Sequence, residues 1–323
     1  MKRALILGIG GQDGSYLADI LLEKGYEVHG TYRRSSCNNL ARLAHLVDDC
    51  GRICLHQADL ADSQSIERAI VSCQPHEIYN EADQDSVGWS HVCPAYQFDI
   101  TAGAVIRTLE TIRRVDKSIR FFQPCSAMMF GDAAYLASGV QSPQNEQTPF
   151  NPQSPYAVAK VAAYYACRHY RLQHNMFAAT AIFYNHDSPR RSDHYLLHKI
   201  CKGVVRMKRG EQDTLALGNL DAMVDVGYAR DYMEAAWSIM QQPIADDYVI
   251  GTGKVHSVGE LVMMAFELAG MKYDYSRIVK DPEFWHESPR SVLQADCTKA
   301  RLAFGFNAPT SIRELMLKIM DGE

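Results

Sequence analysis

Through the first half of the chain, short apolar runs alternate with longer amphipathic ones. Leu5–Leu7, Val28–Tyr32, Ile53–His56, Glu77–Asn80, Arg120–Gln123 and Ala178–Phe183 read as strands, brief apolar or β-branched stretches bounded by turn-forming residues. Helical periodicity fills the intervals around 15–24, 63–72, 101–114 and 156–174. Strands that alternate with helices of this length feed a parallel sheet, so the expected fold class is α/β, a Rossmann-like doubly wound parallel sheet.

From about residue 185 the alternation breaks into helices over 196–208, 228–241 and 257–269 and scattered short strands. Ser257 and Glu260 are spaced as a capping box opening the last of these. The expectation is a large domain over 1–184 and a smaller mixed α/β lobe over 185–323. No repeat, low-complexity tract or long linker separates them, so the lobes should exchange segments and leave a cleft between them as the site.

Composition narrows the class. The chain has 323 residues, 47% hydrophobic and 22% charged, and a net charge of -5. That is an ordinary globular balance. The 33 basic residues form no stripe, which argues against a nucleic-acid surface. No apolar run spans a bilayer and no signal segment precedes the first strand, so no membrane partner and a cytoplasmic location are expected. The 9 cysteines form no C-x-x-C pair. Neither disulfides nor a metal site is expected. His186, His194, His198 and His256 fall on different predicted elements without ligand spacing, and Cys125 reads as a buried thiol rather than a nucleophile.

Gly8, Gly11 and Gly14 space a G-x-x-G-x-x-G turn between the first strand and its helix, with Gln12 and Asp13 inside it. A dinucleotide diphosphate would there meet backbone N–H groups and a helix N-terminus. The bland alternative is a tight turn without a ligand. After the second strand, Arg33, Arg34, Ser35 and Ser36 stand where an acidic residue would hold a ribose 2′-hydroxyl. Guanidiniums and hydroxyls suit a 2′-phosphate instead, which favours NADP over NAD, against the alternative of an exposed basic turn. Asp59 and Leu60, after the third strand, are placed to meet the adenine.

Tyr156 and Lys160 lie four residues apart on one predicted helix, with Ser126 past the strand upstream. An ammonium beside a phenol is expected to lower the phenol's pKa, so that Tyr156 moves a carbinol proton while a nicotinamide takes hydride. Ser126 would orient the reacting oxygen, and Lys160 would also hold the nicotinamide ribose. In isolation Y-x-x-x-K is as well explained by a core tyrosine beside a solvated lysine. The glycine turn and Ser126 favour chemistry.

With these elements in place, the chain closely resembles the GDP-mannose 4,6-dehydratase family of extended short-chain dehydrogenases/reductases. The carrying stretches are Gly11–Leu17, Arg33–Ser36, Glu77–Asn80, Ser154–Lys160, Asn185–Arg191 and Gly218–Ala222. The resemblance implies a GDP-sugar substrate and a homo-oligomer, a dimer or tetramer, in which the Arg-Ser loop helps to bind a neighbour's cofactor. Asn185, Lys199, Leu217 and Asn219 match positions that contact the GDP-sugar, and Arg33 and Arg34 match NADP contacts. Asp187, where the family has Glu, would hold a sugar hydroxyl or cap the turn.

The departures fall where the chemistry would be. The family's Thr-Ser-Glu is Ser126-Ala127-Met128 here, and a thioether cannot take the C5 proton that the Glu takes before water is lost from C6. Lys-Arg becomes Met223-Val224, and a phosphate-binding Arg becomes His286, for which Arg290 would substitute or else stand as a structural residue. Glu81, Asp83 and Asp85 stand where the family has small apolar residues lining the cofactor; they point away, coordinate something new or weaken binding. Three functions follow: a GDP-sugar oxidoreductase transferring hydride at C4, to give a 4-keto or C4-epimerised sugar; a full dehydratase using Asp187, Asp132 or Asp85 as the base; or a catalytically silent partner subunit.

Overall fold

The structure, a computed structural model, describes residues 1–47, 52–131, 143–281 and 292–322. Strand β1 (Arg3–Leu7) sends Ala4 and Ile6 into one apolar layer and Leu5 and Leu7 into another. Burial on both faces is why its sequence is a continuous apolar run rather than an alternating one. The chain continues through α1 (Gln12–Glu23), β2 (Glu27–Tyr32), α2 (Ala44–Val47), β3 (Ile53–Gln57), α3 (Ser63–Cys73) and β4 (Glu77–Asn80). Helices α4 (Val87–Val92), α5 (Pro94–Phe98) and α6 (Ala104–Val115) follow, then β5 (Arg120–Ser126), α7 (Pro155–His174) and β6 (Ala178–Phe183). Each strand expected in this half is present. Helix α6 starts later than its periodicity suggests because Asp99–Gly103 forms a wider π turn continuing from α5.

The second half contains β7 (Asn185–Asp187), α8 (Leu196–Lys208), β8 (Leu215–Leu217), β9 (Met223–Tyr228), α9 (Ala229–Met240) and β10 (Asp247–Ile250). Next come β11 (Val255–Ser257), α10 (Val258–Leu268), β12 (Ile278–Lys280), α11 (Thr298–Phe304) and α12 (Ile312–Asp321). Both bonds of the capping box expected at Ser257 and Glu260 are present.

The main sheet has seven strands in the order β10-β6-β5-β4-β1-β2-β3, with every neighbour pair parallel. Its seventh strand, β10, comes from the second half. Helices α3, α6 and α7 cover one face, and α1 and α9 pack together on the other. The direction of strand order reverses between β1 and β4, which opens a crevice at their C-terminal ends. Beyond it, β7 and β9 run parallel, β11 pairs antiparallel with β9, and β8 pairs with β12. Among the described residues, no helix is long and apolar enough to cross a membrane.

Candidate active site

The turn after β1 is shaped by two glycines. Gly8 has a φ of 79°, in the left-handed region that side chains disfavour. A Cβ on Gly14 would stand 2.5 Å from the Gly8 carbonyl oxygen. The chain therefore passes from strand to helix in a few residues, and Gly11, the N-cap of α1, brings no side chain to the first N–H groups. Those donors at a helix start suit a diphosphate.

Gln12 and Asp13 turn towards the second lobe. Ser188 Oγ donates to Gln12 Oε1 at 2.8 Å, and Asp13 Oδ2 lies 3.0 Å from His186 Nε2. His186 Nδ1 contacts the Tyr184 carbonyl at 2.9 Å, so both ring nitrogens face oxygen acceptors, an arrangement that favours the charged ring. Burial opposes the charge of Asp13, but His186 and Arg191 outweigh it and hold its carboxyl at about 2. Burial likewise opposes the charge on His186, and Asp13 overrides it and raises the imidazole.

Ser126, Tyr156 and Lys160 meet where β5 ends against α7. Ser154 caps α7 by accepting from the Ala157 amide, and Pro155 occupies its first turn. This fixes Tyr156 near Ser126, whose hydroxyl acts to lower the phenol. The Ser126 hydroxyl also accepts from the Met128 amide at 3.2 Å. One expectation is overturned here: the Tyr156 phenol is raised rather than lowered. Burial pushes it up, Lys160 opposes, and Asp83 and Asp85 add to the rise.

The reason is the position of Lys160. Its ammonium lies 2.7 Å from Asp83 Oδ2 and donates to the Pro124 carbonyl at 2.9 Å. Burial disfavours that charge, yet Asp83 more than compensates and raises Lys160. A carboxylate thus takes much of the field that Lys160 would impose on the phenol. Asp83 itself is fixed by the Thr101 hydroxyl and the Gln84 amide. Thr101 lies in the π turn before α6, which accounts for the turn's place beside the site.

The acidic loop after β4 therefore points inward. One oxygen of Glu81 is buried, and burial together with Asp13 raises its carboxyl well above the ordinary range, against Lys160. Asp85 pairs with Arg191 at 3.3 Å and hydrogen-bonds Tyr195, while the Arg191 guanidinium stacks 3.5 Å over the Tyr195 ring. Tyr195 is a site residue that sequence reasoning missed; its only signal is its spacing four residues after Arg191.

The remaining residues fall into two groups. Arg33, Arg34 and Ser35 are exposed past β2, with Arg33 Nη1 3.3 Å from the Tyr96 hydroxyl. Asp59 accepts from the Ala61 amide at 3.0 Å, and Leu60 is buried. In the second lobe, Lys199 Nζ lies 3.4 Å from Asp281 Oδ2, and the Asp281 amide donates to the Leu217 carbonyl at 2.8 Å. Asn219 accepts from the Asp221 amide, and Asn185 is exposed. Asp187 is buried and pushed up to about 6 by that burial, against the Ser188 amide, Arg191 and His186. Burial pushes the Cys125 thiol up to about 12, as befits an inert core residue. Arg290, His286 and Asp132 lie outside the described residues.

The geometry resembles known proteins at two levels. The sequence profile of a family described as GDP-mannose 4,6 dehydratase matches residues 5–319. The chain belongs to that family. GDP-mannose 4,6 dehydratase 2 of Arabidopsis thaliana is 39% identical over 330 residues, covering 99% of this chain and 86% of that protein. Among solved structures, dTDP-glucose 4,6-dehydratase of Streptomyces venezuelae with NAD superposes with a TM-score of 0.85 at 19% identity, covering 99% and 96% of the two chains. RMD from Pseudomonas aeruginosa complexed with NADPH gives 0.80 at 20%, covering 100% and 99%. Both support the Rossmann-like fold. Membership makes the chain an NAD(P)-dependent nucleotide-sugar enzyme of the short-chain dehydrogenase/reductase type. In this chain the residue two after Ser126 is Met128, and the Lys160 ammonium is paired with the Asp83 carboxylate.

Proposed function

We propose that this protein is a GDP-sugar oxidoreductase that transfers hydride at C4 and has lost the elimination of water. The observation that carries the reading is Met128, half-exposed at the end of β5 beside an assembled Ser126, Tyr156 and Lys160. The nicotinamide supplies the hydride acceptor. Tyr156 takes the C4 hydroxyl proton while Ser126 orients that oxygen, and the product is a 4-keto sugar, or its C4 epimer when hydride returns to the other face. Asn185, Asp187, Lys199, Leu217, Asn219 and Arg290 form the substrate side of this reading.

Arg33, Arg34 and Ser35 favour NADP, with Gly8, Gly11 and Gly14 cradling the diphosphate and Asp59 and Leu60 at the adenine. The cradle fits such a group, while the Asp83 carboxylate occupies the ammonium that would hold the nicotinamide ribose. We place the enzyme in the cytoplasm as a homo-oligomer.

The test incubates purified protein with GDP-mannose and NADP+ in D2O, following cofactor absorbance and the sugar by mass and NMR. Reduced cofactor or a C4-altered sugar without loss of water supports the reading. Deuterium at C5 with loss of water sinks it. A second reading, full dehydration, is favoured by Asp85, whose field reaches Tyr156. It predicts that Asp85→Asn abolishes C5 exchange.

A further inference from the structure

We propose that His29, Cys54 and His56 form a binding site for a borderline-soft divalent transition-metal ion of the zinc class, at the edge of the main sheet and separate from the catalytic crevice. Strands β2 and β3 pair in parallel with His29 opposite Cys54 and Thr31 opposite His56. Side chains alternate along a strand, so Glu27 and His29 on β2 share a face with Cys54 and His56 on β3. Sequence spacing conceals this set, because sheet pairing joins residues 25 apart in the chain.

The three donor atoms lie within 4.8 Å of one another. His29 Nδ1 faces His56 Nε2 at 2.9 Å, with the rings stacked at 5.2 Å between centroids. Zinc bonds of about 2.0 Å to nitrogen and 2.3 Å to sulfur place tetrahedral ligands roughly 3.3 Å apart or slightly more. The imidazoles need part by only a few tenths of an ångström to admit an ion.

Glu27 supports the outer arrangement. Its Oε1 lies 3.1 Å from His29 Nε2, which places the ring proton on that nitrogen and leaves the Nδ1 lone pair facing His56 and Cys54. A carboxylate holding the remote nitrogen of a ligating histidine is the usual second contact of such sites. Cys54 is exposed, so an ion has a route in and water can complete the coordination. On binding, the Cys54 thiol releases its proton to solvent and the thiolate becomes the ligand.

The consequence for the fold is local. The ion would clip edge strand β3 to β2, three residues before β2 ends at Tyr32, where the chain enters the Arg33-Arg34-Ser35 segment. Occupancy would steady the base of that segment.

The test titrates chelator-treated full-length protein with Co2+, then with Zn2+. The expected result is one equivalent of Co2+ with a sulfur-to-metal charge-transfer band and tetrahedral visible bands, displaced by one equivalent of Zn2+. Cys54→Ser should remove the charge-transfer band, His56→Gln should weaken binding at least tenfold, and Glu27→Gln should weaken it by about 10- to 100-fold. Absence of the band, or binding unchanged by Cys54→Ser and His56→Gln, overturns the proposal. A second readout needs no variant. Zn2+ should slow alkylation of Cys54 but not of Cys37, which is also exposed. Equal rates at Cys54 with and without Zn2+ would refute the site even if the variants failed to fold.

Discussion

Lys160 keeps its charge because Asp83 and the Pro124 carbonyl replace the water it gave up, and Tyr156 is the residue that feels the result. Removing the carboxylate should shift the ascending limb of the pH–rate profile, where Tyr156 becomes competent as a base, to lower pH, since Asp83 raises the phenol. Asp83→Asn should also lower stability by on the order of 3 kcal/mol, as breaking one partner of a buried pair does. An unmoved profile would show that Asp83 has no hold on the phenol. Met128→Glu should restore the missing base, read as solvent deuterium at C5 together with loss of water; a variant that still transfers hydride only would weaken the assignment of Met128. Asp187 provides a test by pH. Its folded value of about 6 exceeds the ordinary 3.8, so the folded state binds the proton more tightly. The stability this gives is full below about 4 and lost as pH rises through about 6. Asp187→Asn should therefore stabilise the protein by up to about 3 kcal/mol near neutral pH and have no effect near pH 4, by thermal melts at both values. Met128 as a departure was legible through the family resemblance, since a thioether stands where the family has Glu. That Asp83 faces Lys160 was not, because the two are 77 residues apart.

At the scale of the element, the position of Tyr156 depends on how α7 begins. Ser154→Ala removes the acceptor for the Ala157 amide and should destabilise the protein by about 1 kcal/mol. Because Tyr156 sits in that first turn, kcat should fall while KM changes little. An unchanged kcat would mean that packing alone places the phenol. The capping box at Ser257 and Glu260 was readable because both partners are neighbours in sequence. The same S-x-x-E signature at Ser311 and Glu314 opens α12, so its start is equally local in the sequence. The start of α6 was hidden: the π turn at Asp99–Gly103 has a helical pattern, and its Thr101 is committed to Asp83.

At the scale of the molecule, the two halves share a core. A single apolar cluster runs from Ala4 and Leu17 to Met233, Leu261 and Met316. Arg190 reinforces it by stacking 4.0 Å over Tyr16 while its Nη2 donates to Asp19 at 2.7 Å. With β10 inside the main sheet, neither half retains its packing alone. Calorimetry should show one unfolding transition with equal calorimetric and van't Hoff enthalpies; two resolved transitions would show that the halves are independent. The sequence by itself determined the strand and helix order, the glycine turn, the Ser126, Tyr156 and Lys160 set and the family, because periodicity, caps and motifs are properties of near neighbours. Only the tertiary structure decided that Asp83 pairs with Lys160, that His186 pairs with Asp13, and that His29, Cys54 and His56 converge. Those pairings are made by sheet register and lobe packing, which join residues that no local spacing connects.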